Sequence, residues 1–187
     1  PRIVAELSSR ALLANYHAVQ QLVPGKSVIP MIKANAYGHG AAWAARLLAG
    51  LPGLYGLGVA TLEEGAAIRD AITLRKRKLP VIVFSGAVGW NDEVGQFCEQ
   101  KHLTPVIATE ADWREFSRRK WYERVPYELK VNTGMNRLGI PAALAPQLAR
   151  ALKELAPEHH PTGVMSHLAV SEDPDLSLSL RQLEQFR

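Results

Sequence analysis

The sequence is poor in cysteine and has no long apolar run. Cys98 is the single cysteine among 187 residues, so no disulfide can form within the chain. Its helical spacing from Val94 and Phe97 predicts a buried structural cysteine rather than a nucleophile. No stretch reaches the roughly 18 apolar residues of a membrane span, and no signal peptide is visible. These absences predict a globular protein in a reducing compartment, without a membrane partner.

The positive charge is small and mostly scattered. The net charge is +4 and the calculated pI is about 9.3. Two basic runs, at 75–78 and 118–120, fall where helices are predicted to end, and cations there complement the helix dipole. No nucleic-acid-binding motif or aromatic interleaving accompanies them. We therefore predict no nucleic-acid partner.

Strand-like and helix-like segments alternate about six times along the chain, after a short strand predicted at 2–7. The apolar strands show little alternation, which is typical of a parallel sheet covered by helices. Helix starts are marked by Ser8-Ser9, Thr61 and Thr109, and Glu64 completes a predicted capping box with Thr61. The predicted strands are 27–33, 54–60, 79–84, 104–108, 125–131 and 162–166. The predicted helices are 10–22, 41–50, 62–73, 91–101, 110–119, 142–155 and 177–187.

Two architectures fit this order: a doubly wound sheet and a (β/α)8 TIM-type barrel. The regular repeat favours the barrel, as does the lack of a glycine-rich phosphate loop after the first strand. Polar residues also recur at the carboxyl ends of strands, where barrel enzymes place their chemistry. Six units do not close an eight-stranded barrel, and the chain stops at Arg187 within an amphipathic pattern. We expect an incomplete barrel, with the last two strands and whatever follows them missing.

One lysine stands out as a candidate for covalent chemistry. Lys33 ends a predicted strand and is followed by Tyr37, Gly38, His39 and Gly40 before a helix begins. A lysine at the lip of a strand, ahead of a glycine-rich turn, is suited to binding a phosphorylated carbonyl cofactor, and pyridoxal phosphate is the candidate. A solvated loop lysine is the alternative.

Further polar residues are predicted at the same end of the sheet. Alternation along 125–132 places Glu128, Lys130 and Asn132 on one face. Such a face on a buried strand should look into the barrel mouth, so Lys130 and Lys33 are expected to converge, joined by His167. The candidate segments also have ordinary structural interpretations. Residues 37–40 would then be a simple turn, residues 133–137 a simple loop, and His167 a hydrogen-bonded histidine.

Four motifs resemble those of alanine racemases. Residues 33–40 (Lys-Ala-Asn-Ala-Tyr-Gly-His-Gly) are similar to that family's pyridoxal phosphate attachment motif. Residues 132–139 (Asn-Thr-Gly-Met-Asn-Arg-Leu-Gly) resemble its second signature. The segments 166–169 with 172–174, and 58–60 with 63–64, resemble further family motifs. The resemblance covers essentially the whole chain, in family order.

The resemblance implies a role for each candidate residue. Lys33 would hold pyridoxal 5'-phosphate as an imine and act as the base on the D-alanine face. Tyr37 would hydrogen-bond the cofactor phosphate. Arg137 would contact the cofactor's phenolic oxygen and the substrate carboxylate. His167 would lie against the pyridine ring, and Lys130 matches a lysine that is often carbamylated. No metal site is assigned.

The resemblance also implies what this stretch would not supply. Residues 1–187 would be the N-terminal part of the cofactor-binding barrel, without the family's C-terminal β domain. The second acid–base would come from that domain of the partner subunit in a homodimer, and the arginine facing the ring nitrogen from beyond residue 187. The 187-residue piece alone would then racemise poorly. Asn132 stands where the family usually has aspartate.

The implied activity is interconversion of L-alanine and D-alanine in the bacterial cytoplasm, supplying D-alanine for peptidoglycan. Three alternatives remain at this point. A serine or broad-specificity racemase would share the barrel and the cofactor. Basic amino-acid decarboxylases would do so too, although they lack the Tyr-Gly-His-Gly continuation. A non-catalytic pyridoxal-phosphate-binding barrel would be complete without further domains.

Overall fold

The computed structural model describes residues 3–72, 78–87 and 89–187, which belong to two compact units. The first unit is Pro1–Phe84 with Lys101–Leu103, and the second is Ser85–Gln100 with Thr104–Arg187. Most of the predicted basic run at 75–78, and the last residue of the helix predicted at 62–73, lie outside the described residues. No helix in the described ranges is long and apolar enough to cross a membrane.

The described residues of the first unit form four helical segments and a pair of short parallel strands. β1 and β2 pair in register from Leu57↔Val81 to Val59↔Val83, and all six residues are buried. Its elements are α1 (Ser9–Leu22), α2 (Lys33–Tyr37), α3 (Ala41–Leu48), β1 (Leu57–Val59), α4 (Leu62–Ala71) and β2 (Val81–Val83). The order confirms the predicted alternation of strands and helices.

Two predicted strands of this unit differ from the structure. The strand predicted at 27–33 is reduced to two parallel bridges, Val28↔Leu54 and Met31↔Gly58. The strand predicted at 2–7 is wrong where it can be compared, because residues 3–8 form no regular element. Ile3 is 89% exposed there, so apolar composition alone did not create a strand without a paired neighbour.

Helix α4 anchors the segment 101–103 to the first unit through Arg69. This side chain is buried, and its guanidinium donates hydrogen bonds to the backbone carbonyls of Lys101, Leu79 and His102 over 2.7–3.2 Å. Three carbonyl acceptors offset the cost of burying the cation.

The second unit is organised around β4 (Glu128–Asn132), which pairs in parallel with three other strands. β3 and β6 lie on either side of Glu128, and β5 pairs with the carboxyl end of β4. The helices of this unit are α5 (Asp92–Gln100), α6 (Glu110–Ser117), α7 (Ala145–Lys153) and α8 (Ser177–Phe186). The other strands are β3 (Thr104–Ile107), β5 (Ile140–Pro141) and β6 (Gly163–Met165). Short 3-10 helices cover Lys120–Arg124, Ala142–Leu144 and Pro157–His159.

Aromatic side chains form much of the core of the second unit. Phe116 meets four other aromatic rings with centroids 5.0–5.6 Å apart. The hydroxyls of Tyr122 and Tyr127 both donate to the carbonyl of His159, and burial raises the pKa of both phenols. Cys98 is fully buried on α5, where desolvation raises the pKa of its thiol to about 12. This confirms the prediction of an inert structural cysteine.

Candidate active site

Lys33 lies directly after the bridge that joins residues 30–32 to β1. The backbone N–H of Gly58 donates to the carbonyl of Pro30 (2.9 Å), and the N–H of Ile32 donates to the carbonyl of Gly58 (2.8 Å). Ile32 is buried and Lys33 is half-buried. The lysine therefore follows the second of the two bridges that stand in place of the predicted strand, and it is not a fully solvated loop residue.

Four residues that are not glycine follow Lys33 in the left-handed region. Ala34, Asn35, Ala36 and Tyr37 have φ values of 49–54°, and Gly38 continues at φ 88°. Left-handed backbone costs an L-residue roughly 1–2 kcal/mol, and it normally occurs at single positions. A run of four indicates strain held in place by its surroundings, and such strain clusters at functional sites.

Backbone hydrogen bonds close this left-handed turn and connect it to α3. The N–H of Ala36 donates to the carbonyl of Ile32 (2.9 Å), and the N–H of Gly40 donates to the carbonyl of Asn35 (2.8 Å). The side-chain oxygen of Asn35 accepts from the N–H of Ala41 (2.8 Å), at the first residue of α3. These hydrogen bonds fix both ends of the turn that begins at Lys33.

Glu64 also contacts the Lys33 turn, which the sequence did not predict. Thr61 caps α4 as predicted, accepting from the N–H of Glu64 (3.3 Å). The side chain of Glu64 departs from the predicted capping box, because its oxygens accept from the N–H groups of Ala34 (2.8 Å) and Ala60 (2.7 Å). One carboxylate therefore joins the end of β1 to the residue after Lys33.

Tyr37 and His39 lie beside Lys33 in the first unit. Tyr37 is 60% exposed, so its hydroxyl is accessible to a ligand. His39 contacts the carbonyl of Ala36 through Nδ1 (2.9 Å), which fixes its ring against the turn. Both residues border a groove of about 450 Å³ whose floor includes Met31 and Trp43.

In the second unit, β4 carries the predicted polar residues within a buried strand. Glu128 and Lys130 are each 4% exposed, and Asn132 is half-buried. Gly163 of β6 pairs with Glu128, and a Cβ at Gly163 would lie 3.4 Å from the carboxylate carbon. The buried lysine and glutamate distinguish this strand from an ordinary apolar core strand.

Asn132 organises the loop that carries Arg137. Its side-chain oxygen accepts from the N–H groups of Gly134 and Asn136, both at 3.0 Å, and its amide nitrogen donates to the side-chain oxygen of Asn136 (3.0 Å). Gly139 (φ 138°) closes the loop, where a Cβ would stand 2.5 Å from the backbone nitrogen of Asn132. Arg137 lies exposed on this loop.

Asn132→Asp should change stability little, because aspartate keeps the oxygen that accepts from both loop amides and loses only the bond that the amide nitrogen donates to the side chain of Asn136. Asn132→Ala removes that oxygen and should lower the free energy of unfolding by about 1–2 kcal/mol. Urea denaturation of the two variants beside the parent measures the difference. Equal losses in both variants would contradict the assigned role of the oxygen.

Gln182 connects the motif at 132–139 with the motif at 166–169, although it belongs to neither of them. This side chain of α8 is 1% exposed. Its nitrogen donates to the hydroxyl of Thr133 (3.2 Å) and the carbonyl of His167 (2.9 Å), and its oxygen accepts from the N–H of Ala169 (2.9 Å). Each hydrogen-bonding group it meets lies on a predicted site loop.

The hydroxyl of Ser166 extends this network to β4. It donates to the carbonyl of Val131 (2.8 Å), so the hydroxyl of Thr133 is the donor in the 2.7 Å contact between the two side chains. The backbone also accommodates Gln182 at Gly134 (φ 135°), where a Cβ would lie 3.3 Å from the Cγ of Gln182. The positive φ favours glycine there, and a Cβ would also make a tight contact with Gln182.

Helix α8 reverses the expected pattern of burial. The sequence places Leu180, Leu183 and Phe186 on one side, yet they are 60%, 42% and 39% exposed. Ser179 and Gln182 are the buried residues of the helix. One feature of the sequence indicates that Gln182 is buried. It is an uncharged polar residue in an amphipathic helix, three positions after Ser179.

The structure groups the predicted site residues by unit. Lys33 and Tyr37 lie on the left-handed turn of the first unit. Lys130, Arg137 and His167 lie in the second unit, on β4, the loop after it and the segment after β6. His167 is exposed, with its backbone carbonyl held by Gln182. The expected convergence of Lys33 and Lys130 stays a prediction.

The parallel strand pairing and the Lys33 turn define a parallel β/α protein with a half-buried lysine next to a strained turn. Residues 7–187 match the model of the family described as alanine racemase, N-terminal domain. The chain therefore belongs to the alanine racemase N-terminal domain family.

Curated relatives match the sequence over nearly the whole chain. An alanine racemase of Deinococcus radiodurans is 36% identical over 189 residues, covering 100% of this chain and 49% of the relative. A biosynthetic alanine racemase of Escherichia coli O6:H1 is 29% identical, covering 96% of this chain and 48% of the relative. The chain spans about half the length of the curated relatives it matches.

Solved structures show the same fold. The biosynthetic alanine racemase of Pseudomonas aeruginosa superposes with a TM-score of 0.78 at 28% identity, over 95% of this chain and 47% of that one. The Bartonella henselae alanine racemase with covalently bound pyridoxal phosphate gives 0.76 at 25% identity, over 96% and 51%. These likenesses confirm the predicted fold class, an incomplete barrel of β/α units.

Proposed function

We propose that this chain is the cofactor-binding N-terminal part of an alanine racemase that interconverts L-alanine and D-alanine with pyridoxal phosphate. The observation that carries the proposal is Lys33, a half-buried lysine that lies between a residue pair bridged to β1 and a strained left-handed turn. The family match and the relatives' names support the activity. The covalently bound pyridoxal phosphate of the Bartonella henselae protein supports the cofactor.

The chemistry of the residues present fits pyridoxal phosphate. Lys33 supplies a primary amine that can bind an aldehyde covalently. Tyr37 supplies an exposed phenol that can donate to the phosphate. Arg137 supplies a planar cation for the cofactor's phenolic oxygen and for a substrate carboxylate, and His167 supplies a ring that can lie against the pyridine. No part of this donor set requires a metal.

When bound next to Lys33, pyridoxal phosphate would supply an electron sink that makes the C–H bond of the substrate α-carbon acidic. We assign to the Lys33 amine the proton transfer at that carbon on the D-alanine face. We assign to Arg137 the binding of the substrate carboxylate. For Lys130 we propose carbamylation, which would convert a buried cation into an anion able to orient Arg137.

Racemisation needs a second acid–base, because the proton must leave one face of the α-carbon and return on the other. We assign that group to the C-terminal β domain of the partner subunit in a homodimer, following the family resemblance. The 187 residues alone would then exchange the α-proton but racemise slowly. In the whole protein, the product D-alanine would serve peptidoglycan synthesis.

Borohydride reduction of the cofactor-loaded full-length protein, followed by peptide mapping, tests the assignment. Reduction makes the covalent bond permanent, and the pyridoxyl group should be found on Lys33. Lys130 and the exposed Lys26 serve as internal controls, since both lysines lie in separate peptides of the same digest. An adduct on another lysine, with Lys33 unmodified, would overturn the proposal.

A further inference from the structure

Glu64 makes contacts that a helix-capping residue does not need. Its Oε1 accepts from the N–H of Ala34 and its Oε2 accepts from the N–H of Ala60, at 2.8 and 2.7 Å. Ala34 is the residue after Lys33, and Ala60 is the residue after β1. The carboxylate thus connects the strand that neighbours Lys33 with the first left-handed residue of the turn.

The backbone of Glu64 is itself held in place. Its N–H donates to the hydroxyl of Thr61, the N-cap of α4. The N-terminus of a helix also favours a negative side chain in its first turn. The carboxylate therefore approaches both amides from a fixed support rather than from a mobile loop.

The left-handed turn needs such a support. Four consecutive residues that are not glycine hold φ values near 50°, a conformation that persists only where the surroundings over-determine it. A hydrogen bond to an ionised carboxylate is stronger than one between neutral groups. The bond to Ala34 acts on the first residue of this run, next to the Cα from which the lysine side chain departs.

We propose that Glu64 is a positioning residue for Lys33: its carboxylate bridges the amides of Ala60 and Ala34 and so fixes the direction of the lysine amine. The inference rests on the proposed function, in which that amine binds pyridoxal phosphate. Glu64 acts through the backbone and touches neither cofactor nor substrate in this role. Losing the bridge should weaken covalent attachment while leaving the Lys33 amine present.

The test compares Glu64→Gln, Glu64→Ala and Glu64→Asp in the full-length protein, with Glu63→Gln as the matched control. Glu63 is the exposed neighbour on the same helical turn, and its carboxylate interacts with Thr61 rather than with the Lys33 turn. Glutamine keeps one acceptor oxygen, alanine keeps none, and aspartate keeps the charge with a shorter reach. The readouts are cofactor affinity, from titration of the imine absorbance, and the pH at which that absorbance changes.

We expect affinity for pyridoxal phosphate to fall about tenfold in Glu64→Gln and further in Glu64→Ala, as hydrogen bonds to a charged group are lost. The pH of the absorbance change should also shift, because the imine nitrogen moves relative to its surroundings. The Glu63→Gln control should match the parent. Amide hydrogen exchange at Ala34 should accelerate in both Glu64→Gln and Glu64→Ala.

Affinity and absorbance pH within twofold of the control in Glu64→Gln and Glu64→Asp would overturn the inference. Those two variants decide the question even if Glu64→Ala does not fold. Failure of the proposed function is distinguishable, because the parent protein itself would then form no reducible bond at Lys33. Normal attachment in the parent with unaffected Glu64 variants would reject the positioning role alone.

Discussion

Lys33→Ala in the full-length protein should lower the rate of alanine racemisation by at least about a thousandfold. The substitution removes both the amine that binds the cofactor covalently and the group assigned to proton transfer, and each role alone is worth about 100-fold or more. The turn around Lys33 is held by backbone hydrogen bonds and by Glu64, so the variant should still fold. Chiral analysis of the alanine formed from each enantiomer measures the effect.

Lys26→Ala is the matched control for this experiment. Lys26 lies in the same unit, is exposed and belongs to the loop after α1. Its replacement should leave the rate and the visible absorbance of the bound cofactor unchanged. A small external amine should restore part of the activity of Lys33→Ala if the missing group is an amine. A Lys33→Ala protein as active as the Lys26→Ala control would contradict the assignment.

The fold could be predicted where local spacing alone determines the element. Helix α1 begins after Ser8 and α6 after Thr109, because each side-chain oxygen accepts from a first-turn N–H. The parallel arrangement followed from strands with little alternation, and pairing confirms it in both units. The two-residue strand β5 was missed because its pairing depends on how the loop after β4 returns, which apolar spacing does not encode.

The conformation of the site was less predictable than its composition. The glycine-rich motif predicted a turn after Lys33, with glycine as the residue expected at positive φ. Gly38 and Gly40 do have positive φ, but Ala34, Asn35 and Ala36 take left-handed conformations as well, which are stabilised by tertiary contacts such as the one from Glu64. Sequence propensity cannot indicate a conformation that is unfavourable locally and stabilised from thirty residues away.

The roles assigned to individual side chains rest on motif resemblance and remain predictions. What the structure adds is a physical reason for the residue types around them. Asn132 in place of aspartate retains the oxygen that organises the Arg137 loop, so the departure does not remove the loop's hydrogen bonds. The buried Gln182 connects Thr133 to the segment at 166–169 through hydrogen bonds.

Gln182→Leu should be among the most destabilising single changes in the second unit, lowering the free energy of unfolding by about 2–4 kcal/mol. Leucine is close in volume but cannot pair with the hydroxyl of Thr133, the carbonyl of His167 or the N–H of Ala169. Thr133 is buried and Ala169 is half-buried, so their polar groups would each lose a partner away from bulk water. Unsatisfied buried polar groups cost about 1–3 kcal/mol each.

Gln185→Leu on the same helix is the matched control, because that residue is exposed and the change in side chain is identical. Urea unfolding should give a free energy within about 0.5 kcal/mol of the parent for the control. If the network also positions the site loops, Gln182→Leu should raise KM for alanine under conditions where the protein stays folded. A Gln182→Leu variant as stable as Gln185→Leu would show that the buried amide contributes no net stability. The link between α8 and the two site loops would then have to be carried by packing alone.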